Sequence, residues 1–109
     1  MEIKEKREGD VAILSLEGRL DAYSSNEVET HINTMIEGGC VRIVVNFGGV
    51  EYISSSGLQV MLASLKRLKK ADGDFKLACL KPYVKEVFDI AGFTQLFAIF
   101  EEEEAAIND

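Results

Sequence analysis

The sequence contains one proline, one histidine, two cysteines and no tryptophan among its 109 residues. A single histidine cannot supply a multi-histidine metal site, and we interpret His31 as a helix-surface residue. Cys40 and Cys79 lie 39 positions apart and form no Cys-x-x-Cys pair, so their spacing indicates neither metal nor redox chemistry. Each lies in or beside an apolar stretch, so we expect both cysteines to be core residues. The sequence therefore predicts no metal and no cofactor.

Long hydrophobic runs are also absent. No apolar run approaches the roughly 20 residues that a membrane helix needs, and the segment Met1–Lys6 lacks the apolar core of a signal peptide. We therefore expect a cytoplasmic protein without membrane insertion. Lysine and arginine number only twelve against nineteen aspartates and glutamates, and the resulting net charge of -7 repels a phosphate backbone. Nucleic acid is not an expected partner.

The length of the chain leaves room for a single domain, which we place over residues 1–109. Five of the nineteen acidic side chains lie in the segment 101–109, so the rest of the chain carries a charge of only -2, from twelve basic and fourteen acidic groups. A run of like charges is typical of a solvated tail, and a dedicated docking segment is the alternative. We expect deletion of residues 102–109 to leave the fold intact.

Hydrophobic periodicity predicts the order of the elements. Residues 3–7 and 11–16 are expected to pair as antiparallel strands across Gly9-Asp10, and Ser24 to Glu27 match a capping box that would begin the first helix, with Tyr23 and Val28 as a hydrophobic staple. The run 41–47, β-branched and almost continuously apolar, predicts a central strand covered on both faces.

The second half of the chain continues the alternation. A helix follows the serines at 54–56 and ends by Gly73, residues 75–80 are a strand, Pro82 opens a third helix, residues 96–100 are a last strand and residues 101–107 a short acidic helix. Strands separated by helices usually form a parallel sheet through right-handed crossovers. The predicted fold class is therefore α/β, with a mixed, mostly parallel sheet, an antiparallel N-terminal edge strand and about four helices. The predicted core positions are Ile43, Val45, Leu58, Met61, Leu62, Leu65 and Phe88.

Enzyme chemistry has little support in the sequence. A serine nucleophile needs a base and an orienting partner, and only His31 could be the usual imidazole. Residues 53–57 do not match the Gly-x-Ser-x-Gly elbow of hydrolases, and the nucleotide-binding glycine fingerprints are absent. We therefore predict no catalytic residue and no enzymatic activity.

The unusual feature is the three-serine run, Ser54, Ser55 and Ser56, at the mouth of a helix that follows the predicted central strand. Open α/β sheets often place function at this end. Serine is also a favoured N-cap, and Ser56 to Gln59 is itself a capping-box pattern, which explains one hydroxyl but not three. With Ser56 as the cap, Ser55 lies just outside the helix, where a phosphoryl group could meet unpaired backbone N–H groups.

Four further segments of the sequence carry information as a set: Gly18-Arg19-Leu20-Asp21-Ala22-Tyr23, Val50-Glu51-Tyr52-Ile53-Ser54-Ser55-Ser56-Gly57-Leu58, Leu80-Lys81-Pro82-Tyr83-Val84 and Phe88-Asp89-Ile90-Ala91-Gly92-Phe93. Together they resemble the STAS domain of bacterial anti-sigma-factor antagonists, and the resemblance spans essentially the whole chain. The first two segments are specific as a pair.

The resemblance implies a partner and a switch. In this family the unphosphorylated protein binds an anti-sigma factor that is also a serine kinase, phosphorylation breaks the complex, and a serine phosphatase restores it. The phosphorylated serine of the family corresponds to Ser55. The partner-binding surface then comprises Asp21, Ala22, Tyr23, Ser54, Ser55, Ser56 and Gly57.

Two positions depart from the family pattern, which commonly has aspartates where this chain has Ser54 and Asn46. Loss of two carboxylates lowers the electrostatic cost of a phosphate on Ser55, but it weakens phosphorylation where the kinase uses those carboxylates. The alternative function is therefore a phosphorylation-independent STAS subunit that regulates a transporter or a signalling complex. A small serine hydrolase is a third and disfavoured class.

Overall fold

The computed structural model describes all 109 residues. The strands are β1 (Glu2–Glu8), β2 (Val11–Leu20), β3 (Arg42–Ile53), β4 (Asp74–Ala78) and β5 (Ala98–Phe100), and the helices are α1 (Ala22–Glu37), α2 (Ser55–Lys70), α3 (Pro82–Ile90) and α4 (Glu103–Asn108). Every predicted element is present in the predicted order. None of the helices has the length and apolar character needed to cross a membrane.

The five strands form one sheet in the order β1-β2-β3-β4-β5. Strand β1 is antiparallel to β2, and the other three pairs are parallel, each connected through a helix. Strand β3 lies at the centre, as its apolar run predicts. The predicted fold class, a mixed α/β sheet with an antiparallel edge strand, is therefore confirmed.

The main hydrophobic core lies between one face of the sheet and the helices α1, α2 and α3. Its central aromatic contacts are edge-to-face, with the ring of Phe88 on α3 lying 6.0 Å from Phe47 and 5.7 Å from Phe97. Of the predicted core residues, only Leu62 is not fully buried, and even it packs against this core. The helical stripes were therefore predicted in the correct phase, with Leu62 at the margin of the core.

Helix α4 covers the opposite face of the sheet, and the prediction of a solvated acidic tail is wrong for it. Ala106 is buried in a small second core that contains Ile13 and Val44. Glu103 accepts a hydrogen bond from the Asn46 side chain at 2.9 Å and forms an ion pair with Lys6 at 2.8 Å. Burial of Ala106 and the contacts of Glu103 with Lys6 and Asn46 thus hold against the sheet a segment that the sequence alone presents as a run of repelling carboxylates.

Several boundaries differ from the prediction. Strand β3 continues to Ile53, six residues beyond the predicted end, because β2 remains paired to it along that length. Cys40 is buried as expected, but Cys79 is only half-buried and adopts a φ of 64° just after β4 ends at Ala78, so it is not a core residue. Helix α4 begins at Glu103 rather than residue 101.

Candidate functional site: the first turns of helices α1 and α2

The register of the central strands brings the two predicted site segments together. Leu20, the last residue of β2, lies beside Ile53, the last residue of β3, and both strands run in the same direction. The residues that follow each strand, 21–23 and 54–57, are therefore neighbours at the carboxyl end of the sheet. Parallel α/β sheets commonly present their binding residues at this end.

Strand β3 reaches this point through two irregularities. Between the pairs Ser15–Asn46 and Leu20–Ile53, β3 uses seven residue steps where β2 uses five, so β3 contains two extra residues. Such bulges bend a strand and occur often beside functional sites. At one of them a Cβ on Gly49 would lie 2.9 Å from the carbonyl oxygen of Leu16, so only glycine allows the strands to remain this close.

Helix α1 begins at Ala22 with Asp21 as its N-cap, three residues before the predicted start. The Asp21 carboxylate accepts a hydrogen bond from the Ser24 N–H at 3.0 Å, and the Ser24 hydroxyl accepts one from the Asp21 N–H at 3.0 Å. The predicted capping box starting at Ser24 is therefore wrong, because Ser24 is the third helical residue of a different box. The Ser24 hydroxyl also lies 3.0 Å from the Asp21 carboxylate as a donor, and the hydrogen bonds that the Ser24 N–H and hydroxyl donate to this carboxylate hold the pKa of Asp21 below its usual range.

Helix α2 begins at Ser55, and its N-cap is Ser54 rather than the predicted Ser56. The Ser54 hydroxyl accepts a hydrogen bond from the Gly57 N–H at 3.1 Å and donates one to the Leu20 carbonyl at 2.9 Å. One hydroxyl thus caps the helix and connects it to the end of β2. An aspartate could perform the first function but has no proton to donate for the second.

The remaining hydroxyls of the three-serine run are free. Neither Ser55 nor Ser56 has a side-chain hydrogen bond within the chain, and Ser55 is exposed whereas Ser56 is half-buried. Both residues lie in the first turn of α2, where backbone N–H groups have no intrahelical acceptor. Ser55 therefore presents an accessible hydroxyl beside the positive end of the helix dipole.

Gly57 fixes how closely the first turn of α2 approaches the sheet. A Cβ at this position would lie 2.8 Å from the Ile53 Cγ1 and 2.9 Å from the Leu20 Cγ, and both side chains are buried. The glycine was predicted as part of the partner surface, but it is buried and acts by permitting close packing. Gly57 therefore helps to set the position of Ser55 by allowing the first turn of α2 to lie close to the sheet.

Asn46, the second departure from the family pattern, lies within β3 and points away from α2. Its Oδ1 accepts a hydrogen bond from the Gly48 N–H at 2.7 Å, and its Nδ2 donates to Glu103 on α4. An aspartate at this position would place its carboxylate against that of Glu103. The asparagine avoids this repulsion and is therefore compatible with the packing of α4 on the sheet. Partial burial raises the pKa of Glu103, but the hydrogen bonds from Asn46 and Lys6 outweigh it and hold that pKa below its ordinary value.

The site also includes contacts that the sequence did not reveal. The guanidinium of Arg19 lies 4.2 Å from the centre of the Tyr52 ring, a cation–π contact across the ends of β2 and β3. These residues are 33 positions apart, and only the strand register brings them together. His31 bonds the Glu5 carboxylate on β1 at 3.1 Å and none of the three serines, so the structure assembles no serine–histidine pair.

The chain is thus a small α/β domain in which an exposed serine lies in the first turn of α2, next to the capped start of α1. Its fold closely matches SpoIIAA, described as an anti-sigma factor antagonist, in its unphosphorylated form, with a TM-score of 0.85, 25% identity and coverage of 98% of this chain and 94% of the other. The phosphorylated form of the same Bacillus protein matches with a TM-score of 0.77, 24% identity and coverage of 98% and 97%.

Sequence comparison also finds relatives that are named anti-sigma factor antagonists. BtrV of Bordetella bronchiseptica, named as a candidate anti-sigma factor antagonist, is 36% identical over 94 residues, which cover 86% of this chain and 81% of the relative. An anti-sigma F factor antagonist of Paenibacillus polymyxa is 26% identical over 110 residues, covering 100% and 94%. The STAS domain profile matches residues 2–106, and the chain belongs to the STAS domain family.

Proposed function

We propose that this protein is a cytoplasmic anti-sigma-factor antagonist that binds an anti-sigma factor with serine kinase activity and thereby releases a sigma factor. Phosphorylation of Ser55 by that kinase ends the interaction, and a serine phosphatase restores it. The names of the relatives support the antagonist function. Within this chain, the support is the exposed, unbonded hydroxyl of Ser55 at the start of α2.

The three serines differ in what a kinase could reach. The Ser54 hydroxyl is occupied by the cap and by Leu20, and Ser56 is half-buried, which leaves Ser55 as the accessible acceptor. In the transfer, the Ser55 oxygen attacks the γ-phosphorus of ATP held by the kinase. The bond to the β-phosphate breaks, ADP leaves, and the hydroxyl proton passes to a base of the kinase.

A phosphate on Ser55 has opposite effects inside the domain and at an interface. Within the domain it lies beside the free N–H groups of the first turn of α2, which contains no acidic side chain to repel it. The fold should therefore remain intact. Beneath a partner the same phosphate is a desolvated charge of about -1.5 to -2, and an unpaired buried charge costs several kcal/mol.

The test combines phosphorylation with binding. Purified protein is mixed with serine-kinase anti-sigma factors and ATP, and mass spectrometry locates the phosphate. We expect it on Ser55, and we expect Ser55→Ala to bind the kinase but remain unmodified. Ser55→Asp should weaken binding more than a hundredfold, which corresponds to about 3 kcal/mol. Ala63→Asp, which adds the same charge to the exposed surface of α2 two turns further on, is the matched control.

Each of the following outcomes would contradict part of the proposal. A phosphate on Ser54 or Ser56, or full-strength binding by Ser55→Asp, shows that Ser55 is not the switch. Tight binding without any phosphorylation would mean that the chain is an antagonist that is not switched by phosphorylation. If no serine-kinase anti-sigma factor binds the chain, the alternative is favoured: a phosphorylation-independent STAS interaction subunit of a transporter or signalling complex.

A further inference from the structure

The seven predicted contact residues are too few to form a stable protein interface. Such an interface typically buries about 800 Å² on each partner and involves about 20–30 residues a side. The molecule itself measures only 31 × 27 × 24 Å. A partner centred on Ser55 must therefore cover most of the carboxyl end of the sheet, including surface beyond α1 and α2.

The exposed apolar side chains are unevenly distributed over the molecule. Six large ones are exposed: Tyr23, Val41, Tyr52, Tyr83, Ile90 and Leu96. The three tyrosines, all that the chain contains, lie at the carboxyl end of the sheet, in the first turn of α1, near the end of β3 and in the first turn of α3. The other three precede β3 or β5 or end α3, away from Ser55. Exposed tyrosine is typical of interfaces, since it buries a large, rigid ring that carries a polar hydroxyl.

The first turn of α3 lies on the same side of the sheet as Ser55. Helix α3 packs into the same core as α1 and α2 through Val84 and Phe88. Lys81, the residue before α3, donates a hydrogen bond from its ammonium group to the carbonyl of Gly48 on β3. Tyr52 points to the opposite side, because its neighbour Ile53 is buried beneath the helices. Tyr23 and Tyr83 are thus the two exposed aromatic side chains on the helix side of this end.

We propose that the first turn of α3 belongs to the same partner surface as Ser55, with Tyr23 and Tyr83 as anchors in the helices before and after α2. Tyr23 is 77% exposed and Tyr83 52% exposed, so each ring has most of its area available for burial. The occupant is the anti-sigma factor, and this identity rests on the proposed function. Its surface should offer an apolar pocket for each ring and a hydrogen-bond partner for each phenol.

Isothermal titration calorimetry tests this surface with the full chain and the anti-sigma factor that binds it in the phosphorylation experiment. Tyr83→Ala should weaken binding at least about tenfold, as expected for an anchoring tyrosine. Tyr83→Phe should retain most of the affinity because the ring remains. Ile90→Ala is the matched control, because Ile90 is 80% exposed on the same helix at its other end. Urea denaturation of each variant verifies that it is folded.

The outcomes separate this inference from the proposed function. If Tyr83→Ala binds like Ile90→Ala while Ser55→Asp is weakened, the extension to α3 is wrong and the switch stands. If Tyr83→Ala is weakened while Ser55→Asp binds normally, the surface stands and the switch is wrong. If the wild-type chain binds no serine-kinase anti-sigma factor, both the proposed function and the occupant named here are wrong.

Discussion

Replacing Ser54 by alanine should destabilise the domain although the side chain is small and only half-buried. The substitution removes the hydroxyl that accepts from the Gly57 N–H and donates to the Leu20 carbonyl. Loss of an N-cap serine costs about 1 kcal/mol, within a range of about 0.5–2. The Leu20 carbonyl still accepts a hydrogen bond from the Ser54 N–H at 2.9 Å, so no buried acceptor is left without a partner. We therefore expect a total loss of about 1–2 kcal/mol in the free energy of unfolding.

Two further variants make this prediction specific. Ser54→Asp keeps a capping acceptor and should lose less stability than Ser54→Ala, whereas Ser56→Ala removes a hydroxyl with no partner and should change stability by less than about 0.5 kcal/mol. Urea denaturation at neutral pH gives the three free energies, and thermal melts should show Ser54→Ala lower by about 4 °C or more. Equal losses for Ser54→Ala and Ser56→Ala, or a neutral Ser54→Ala, would refute the assignment of the cap.

Other substitutions test the packing around the site. Gly57→Ala should lower stability by up to about 2 kcal/mol, because overpacking of about 1–3 kcal/mol exceeds the gain of about 1 kcal/mol in helix propensity; a more stable variant would contradict the close approach. Met61→Ala should lower the free energy of unfolding by about 2–5 kcal/mol, and Leu62→Ala should lower it less because Leu62 is only half-buried. Equal losses for the two variants in urea denaturation would argue against this helix phase. Deleting 102–109 should lower the thermal midpoint, since α4 covers the second core, and an unchanged midpoint would mean that α4 contributes nothing. Glu103→Gln tests the lowered pKa of Glu103: that carboxylate stabilises the fold above its ordinary pKa of 4.5 and loses this effect as the pH falls through the folded value. The variant should be less stable than the parent at pH 7, and this deficit in the free energy of unfolding should shrink as the pH is lowered below 4.5. A deficit that does not change with pH would exclude the ionised carboxylate as its cause.

Much of the fold could be predicted from local patterns in the sequence. The apolar, β-branched run at 41–47 favours a strand covered on both faces, and β3 is indeed at the centre of the sheet. The helical spacing of Leu58, Met61 and Leu65 identified the buried face of α2 because burial of such a stripe is what stabilises a helix in a domain. Pro82 marked the start of α3 because a first helical residue needs no N–H donor.

The sequence also predicts that the candidate site lies in the segments 21–23 and 54–57, but it does not determine which residues cap the helices there. In the sequence, capping patterns that begin at Ser24 and Ser56 are no weaker than those that begin at Asp21 and Ser54. The structure shows that Asp21 and Ser54 are the caps. Such patterns are short and overlap, so the sequence alone allows several helix starts. The tertiary structure decides between them because pairing of the ends of β2 and β3 fixes where each strand stops and each helix begins.

Tertiary structure likewise decided the position of the acidic segment. Read locally, four successive glutamates repel one another and favour solvent. In the folded chain Lys6 and Asn46, distant in sequence, lie on the sheet face where Glu103 binds, and Ala106 fills the space beside Ile13. A local charge pattern does not report partners brought by other strands. The sequence by itself therefore determined the order of the elements, the buried stripes and the exposed serine, whereas long-range pairing determined the caps and the packing of α4.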